Sequence, residues 1–195
     1  MKKRKELLKF FPGIIFSAAC MGCVMITPVA AAPSAGDAVT NFSVRLFQAS
    51  KTPGSSTLVS PFSVLSALSM TANGAGGSTL AQMEEAFGIS VKELNDYFNK
   101  YLSEQNDSLS VANSIWLNEH SGLLVSPDFT ETVTDFYQSE VFEEPMNGET
   151  LDKINGWVNE KTEGMIPEIL DEIQPDTLMY LLNALSFQSK WETVY

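Results

Sequence analysis

Between Thr52 and Met83 the chain carries no charged residue, although 24 acidic and 12 basic side chains occur over its 195 positions. Charge belongs on surfaces that face water, so a neutral run of this length is expected to be buried on every side, at the centre of a sizeable core. Inside it, Thr57-Leu58-Val59 reads as a short strand. Ser60-Pro61 reads as a helix start, because a serine hydroxyl at the N-cap accepts an orphan N–H and proline at the first helical position lacks one. The helix that follows carries Phe62, Val64, Leu65, Ala67, Leu68, Met70 and Ala72 around most of its circumference. Asn73-Gly74-Ala75-Gly76-Gly77 ends it, glycine being free to take a left-handed cap.

The flanking segments alternate helices with strands. Val39, Phe42, Leu46 and Ala49, widened by Phe47, give an amphipathic helix over 37–50. A helix begins near Ser78 or Thr79 and stops at Gly88, and another occupies 91–104 with Leu94, Tyr97, Phe98 and Tyr101 facing inward. Leu109, Val111, Asn113, Ile115 and Leu117 alternate with Ser110, Ala112, Ser114 and Trp116, the period of a strand covered on both faces. Ser126-Pro127-Asp128 restarts a helix with the same cap chemistry, a short strand lies near 140–142, and Leu151, Ile154, Trp157 and Val158 form one stripe of a helix over 150–161 that Gly164 breaks. Alternation returns over 177–187, with Asn183 among the inward positions. An amide placed there must find partners or cost about 1 to 3 kcal/mol.

The first residues belong to a different class. KKRKELLK is basic, no charge occurs from Phe10 to Gly36, and a small-residue exit follows at Val29-Ala30-Ala31. Residues 1–31 therefore read as a signal peptide cleaved before Ala32, with an uncleaved membrane anchor or a lipid-modified Cys20 as alternatives. Each places residues 32–195 outside the cytoplasm, secreted or held at the outer face of a membrane. Cys20 and Cys23 have the C-x-x-C spacing of redox and metal motifs, but they lie in the apolar signal core. No cysteine follows, so stability outside the cell rests on packing and not on disulfides.

Charge and histidine count narrow the function. A net charge of -12 argues against nucleic acid or an anionic membrane surface as a partner. The single histidine, His120, lies beside Glu119 and Ser121 in a turn, and sequence neighbours seldom form a catalytic triad. With no G-x-S-x-G motif either, an enzyme is the weakest reading. The acidic stretches at 143–144 and 168–172 lack any metal-binding spacing and read as solvated faces. No cofactor and no metal is expected.

Four segments resemble the serpins, protease inhibitors that trap their target by a large conformational change. Ser60-Pro61-Phe62-Ser63-Val64-Leu65-Ser66-Ala67-Leu68-Ser69-Met70, with Asn73-Gly74-Ala75 and Thr79, is similar to that family's helix B and the start of helix C. Asn113-Ser114-Ile115-Trp116-Leu117 resembles the second strand of its sheet A. Ile154-Asn155-Gly156-Trp157-Val158, with Thr162, Gly164 and Ile166, resembles helix F and its exit. Asn183-Ala184-Leu185-Ser186-Phe187, with Lys190 and Trp191, resembles the third strand of sheet A. The departures are Met165, where a basic residue is common, and Val194-Tyr195 in place of a usual Pro-Phe.

The resemblance implies an α+β fold, helices A to F packed on a mainly antiparallel sheet A, with 32–195 as the N-terminal part of a serpin domain. It implies an extracellular protease inhibitor, a trap without catalysis. A serine or cysteine protease cleaves the reactive-centre loop, which then inserts between the third and fifth strands of sheet A. That loop, its reactive centre and the fifth strand are absent from this chain, so the fragment is expected to be inactive as it stands. Ser60, Ser63 and Asn183 match the family's shutter, where the sheet parts; Lys190 and Trp191 match the breach, where the loop first enters. Helix capping accounts equally well for the two serines, and core filling is the ordinary role of a tryptophan at a strand end. A non-inhibitory serpin, acting as an extracellular binding or structural module, would share all these features.

Overall fold

The structure is a computed structural model and describes residues 34–104 and 109–189. Its helices start where side chains can satisfy their first N–H groups. Ser34 and Ser90 each form a reciprocal capping box, with Asp37 and Glu93 respectively, at the heads of α1 (Ala35–Ser50) and α4 (Val91–Ser103). Ser60 caps α2 (Pro61–Asn73), and Asn147 caps α6 (Gly148–Lys161) through the N–H groups of Glu149 and Thr150. Two helices start without such help, α3 (Gly77–Phe87) after Gly76 and α5 (Pro127–Tyr137) after Ser126. The cap expected of Ser126 is therefore not made.

Three strands form one sheet in the order β2-β1-β3: β2 (Ser139–Glu144), β1 (Leu109–Asn118) and β3 (Met179–Phe187). β1 runs parallel to β2, with α5 as the crossover, and antiparallel to β3, so the three described strands form a mixed sheet. Leu117 faces Met179 at one end of the β1–β3 ladder and Leu109 faces Phe187 at the other. Asn118 fixes the start of β3 by donating its Nδ2 to the carbonyls of Pro175 and Thr177, at 3.1 and 2.8 Å.

Period-two alternation divides the sheet between two cores. Ile115, Val141 and Leu181 face α1 to α5, where Phe42, Leu65, Met70, Phe87, Leu94, Phe98, Val133 and Tyr137 are buried. Trp116, Leu182 and Ala184 face the other way, under Ile154, Trp157 and Val158 of α6. β1 is thus covered on both faces, as its pattern requires, and Asn113 to Trp116 are all buried.

Several expectations are corrected. The neutral stretch is buried only along Leu65, Ser66, Ser69, Met70 and Ala72; Ser78, Thr79, Ala81 and Gln82 are exposed, and so is Leu68. Absence of charge does not separate a small polar residue in water from one in the core. Thr57–Val59 is not in a strand, and Leu58 is fully exposed. Phe47 and Ala49 lie outside the buried stripe of α1, which runs through Ala38 and Phe42. Gly74 is right-handed, at φ -93. Its glycine is needed for closeness: an added Cβ would come within 3.3 Å of the Phe129 ring.

Candidate functional site

A row of polar side chains crosses the three described strands at one level. Asn113 on β1 is in register with Ser139 on β2 and with Asn183 on β3, and alternation puts all three on the face toward α2. Asn113 is 1% exposed, and both ends of its amide are engaged. Nδ2 donates to the backbone carbonyl of Tyr137 at 2.7 Å, while Oδ1 accepts from Asn183 Nδ2 at 2.8 Å and from Ser66 Oγ at 3.4 Å.

These bonds have a direction. A backbone carbonyl only accepts, so Tyr137 obliges Asn113 to present its NH2 there and its oxygen to β3. Asn183 must then answer with its own NH2, which turns its Oδ1 away. That oxygen is buried and has no partner among the described residues; the hydroxyl of Ser139 at the other end of the row is in the same state. A buried acceptor without a donor costs about 1 to 3 kcal/mol. Asn183 therefore stands ready to accept one more hydrogen bond.

Ser60 and Ser63 sit together at the start of α2. Ser60 Oγ accepts the Ser63 N–H at 3.3 Å and donates to Ser63 Oγ at 2.9 Å, the capping geometry expected of them. The side-chain hydrogen bond from α2 to the strands comes from Ser66, one turn beyond Ser63. Asn183 is bonded to Asn113, and Lys190 and Trp191 lie outside the described residues. Reading the sequence assigned no site role to Ser66, Asn73, Asn95, Asn113, Tyr137 or Ser139. Asn95 left a signal: it is buried on the same stripe of α4 as Phe98 and Leu102, where a polar side chain needs a reason.

The Tyr137 hydroxyl is enclosed, and burial pushes its pKa well above that of an ordinary tyrosine, so it stays a proton donor at any physiological pH. It donates to Asn95 Oδ1 at 2.6 Å. His120 is exposed, with Nε2 3.4 Å from Glu119 Oε1, a solvated pair away from the polar row. A groove of about 660 Å³ runs between Met83, Leu123, Phe129 and Met179, and among the described residues Asp128 is the one ionisable group on its wall.

Comparison with known proteins agrees with this architecture. The model of the family described as "Serpin (serine protease inhibitor)" matches residues 37–195. Human serpin B8 is 39% identical over 143 residues, 68% of this chain and 38% of that protein. Iripin-8 of Ixodes ricinus is 34% identical over 148 residues, 68% of this chain and 36% of its own length. The crystal structure of the thermophilic serpin tengpin in its native state superimposes with a TM-score of 0.74 at 42% identity, over 81% of this chain and 42% of that one. The chain thus spans about two fifths of the length of the relatives it matches. Among the described residues, six helices on a three-stranded sheet, an inward asparagine row and a family match over 37–195 lead to one conclusion: this chain belongs to the serpin (serine protease inhibitor) family and corresponds to the N-terminal part of its fold.

Proposed function

We propose that the chain belongs to an exported inhibitor that traps a serine or cysteine protease, and that β3 is the edge beside which the cleaved reactive loop becomes a new strand. One observation carries this reading. β3 has no charged residue along its length, its far edge has no neighbour among the described residues, and beside that edge Asn183 holds a buried carbonyl that lacks a donor. An edge meant to stay open is normally guarded by charge, proline or a bulge. This one has the backbone template and the polar acceptor that an added strand would use. Ser60, Ser63 and Asn183 retain their proposed role at the point of parting, with Lys190 and Trp191 beyond it. Export rests on residues 1–31, whose basic start, apolar centre and alanine exit are those of a cleaved signal.

The test uses the full-length protein, recovered from outside the cell with Ala32 at its N terminus. Mixed with trypsin-like, chymotrypsin-like, elastase-like and papain-like proteases, it is expected to form an SDS-resistant complex with at least one, the protease nucleophile remaining acylated by the loop. Cleavage by all of them with no complex would overturn the inhibitor reading in favour of a non-inhibitory serpin.

A further inference from the structure

Tyr137 is the last residue of α5, and its two polar ends serve different parts of the molecule. Its side chain is fully buried, with the ring 5.3 Å from that of Phe98 on α4. The hydroxyl enters a closed arrangement of amides: Asn95 Nδ2 donates to Asn73 Oδ1 and Asn73 Nδ2 to Asn95 Oδ1, each at 2.9 Å, and Asn73 Nδ2 also reaches the carbonyl of Ser69 at 2.9 Å. Asn73 and Ser69 belong to α2 and Asn95 to α4, so the hydroxyl is bonded to α4 directly and tied to α2 through the Asn95–Asn73 pair. At the other end, the Tyr137 carbonyl lies in the final turn of α5, where no later helical N–H can reach it. Gln138 then takes the left-handed conformation, at φ 51, before β2 begins. A side chain in that region costs about 1 to 2 kcal/mol. Here the turn ends α5 at the residue whose carbonyl receives Asn113.

We propose that Tyr137 is a positioning residue for the β1–β3 seam: its hydroxyl fixes it to α4 and, through the Asn95–Asn73 pair, to α2, and its carbonyl then sets where, and with which polarity, Asn113 and Asn183 stand. The inference deepens the reading of β3 as a receiving edge and rests on it for its functional meaning. The chain of contacts is continuous from Asn95 on α4 to Asn183 on β3, passing through one residue whose two ends cannot exchange roles. A shift of α4 is thereby felt at the acceptor beside the open edge.

Tyr137→Phe keeps the ring, its packing and the carbonyl and removes only the hydroxyl. Amide hydrogen exchange on the full-length protein without protease is expected to quicken about tenfold for the β1 and β3 amides flanking Asn113 and Asn183, and to stay unchanged in α1 and α3. Asn95→Ala, acting on the other end of the same bond, is expected to give the same pattern and serves if Tyr137→Phe folds poorly. Faster exchange confined to α4 and α5, or spread evenly over helices and sheet, would overturn the proposal, since either marks a residue that only packs. Because no protease enters this measurement, a trapping protein with an unchanged seam defeats the role of Tyr137 alone. A protein that shows the seam effect but never traps defeats the inhibitor reading alone.

Discussion

The two outer strands of the sheet are built in opposite ways. β2 presents Glu140, Glu143 and Glu144, and α6 is fastened to it by charge: Lys161 Nζ is 2.7 Å from Glu140, Trp157 Nε1 donates to the same carboxylate at 3.1 Å, and Lys153 Nζ is 2.9 Å from Glu144. β3 has no charge anywhere, and its Leu182 and Ala184 meet α6 through apolar contact. Ion pairs and hydrogen bonds are directional and fix one position, whereas apolar contact is not and tolerates sliding. The β2 side of the described sheet is therefore held to α6 by directional contacts, and the β3 side by apolar ones. The polar row repeats the contrast. At the β2 end an unpartnered Ser139 hydroxyl lies under a guarded strand, and at the β3 end an unpartnered Asn183 carbonyl lies beside an unguarded one.

The sharpest way to break this contrast is to reverse the polarity at the β3 end. Asn183→Asp replaces the NH2 that Asn113 requires with an oxygen, and Asn113 cannot turn round because the Tyr137 carbonyl only accepts. Loss of a buried bond together with repulsion is expected to cost about 3 kcal/mol at neutral pH, read by urea denaturation. A protonated carboxyl could donate to Asn113, so the folded pKa of the new Asp is raised. The deficit is then full above that folded pKa and shrinks as pH falls toward the ordinary aspartate value of about 3.9. At the β2 end, Ser139→Ala removes a buried hydroxyl that has no partner among the described residues, so it should leave stability unchanged or raise it by about 1 kcal/mol. Equal effects at the two ends would show that the row is not polarised.

How much of this was legible in the sequence depended on whether one strand or helix could declare itself. β1, α4 and α6 each carry a full period of apolar residues, and their existence and inward faces follow from that alone. The neutral stretch marked the right helix, because the row of Leu65, Ser66, Ser69 and Met70 does lie against the sheet side of the core. It overstated burial, since serine, threonine and alanine are equally at home outside. Thr57–Val59 has strand-forming residues, but pairing needs a second strand, and none among the described residues supplies it. The parallel direction of β2 is set by the α5 crossover and leaves no mark in six residues. Asn183 was legible as an inward amide and by resemblance, but its partner was not: Asn113 lies 70 residues away, and the Tyr137 contact to Asn95 spans 42. Contacts of that kind are fixed by packing, and no local pattern encodes them.

A smaller effect is expected at the fastened side. Lys161→Met keeps an apolar stem near Trp157, over whose ring the ammonium now stands at 5.8 Å, and removes the partner of Glu140. Both groups are partly open to water, so screening limits the loss to about 0.5 to 1 kcal/mol, and added salt should shrink the difference from the parent. Burial pushes the Glu140 carboxyl up, but the hydrogen bonds from Lys161 and Trp157 and the Lys161 charge outweigh it and hold the pKa below the usual glutamate value. A depressed folded pKa means that its stabilisation is present above the unfolded value of about 4.3 and lost as pH falls through the lower folded one. The parent should therefore lose more stability than Lys161→Met across that acidic window. Parallel curves in acid would remove the ion pair from the account of β2.

The smallest change in folding free energy is expected where the β3 edge is most open, and there the informative readout is association. Phe187 ends β3 and is 65% exposed, so Phe187→Lys removes little buried surface and should alter stability by no more than about 0.5 kcal/mol. It gives the unguarded strand the charge that protects edges elsewhere. In the 195-residue chain, light scattering at matched concentration should therefore fall several-fold, while Glu143→Leu on β2 should raise it. A lysine that destabilises by more than about 1 kcal/mol would mean that Phe187 is packed and not free. A lysine that leaves association untouched would mean that chains do not meet through β3, and the asymmetry between the two edges would then concern α6 alone.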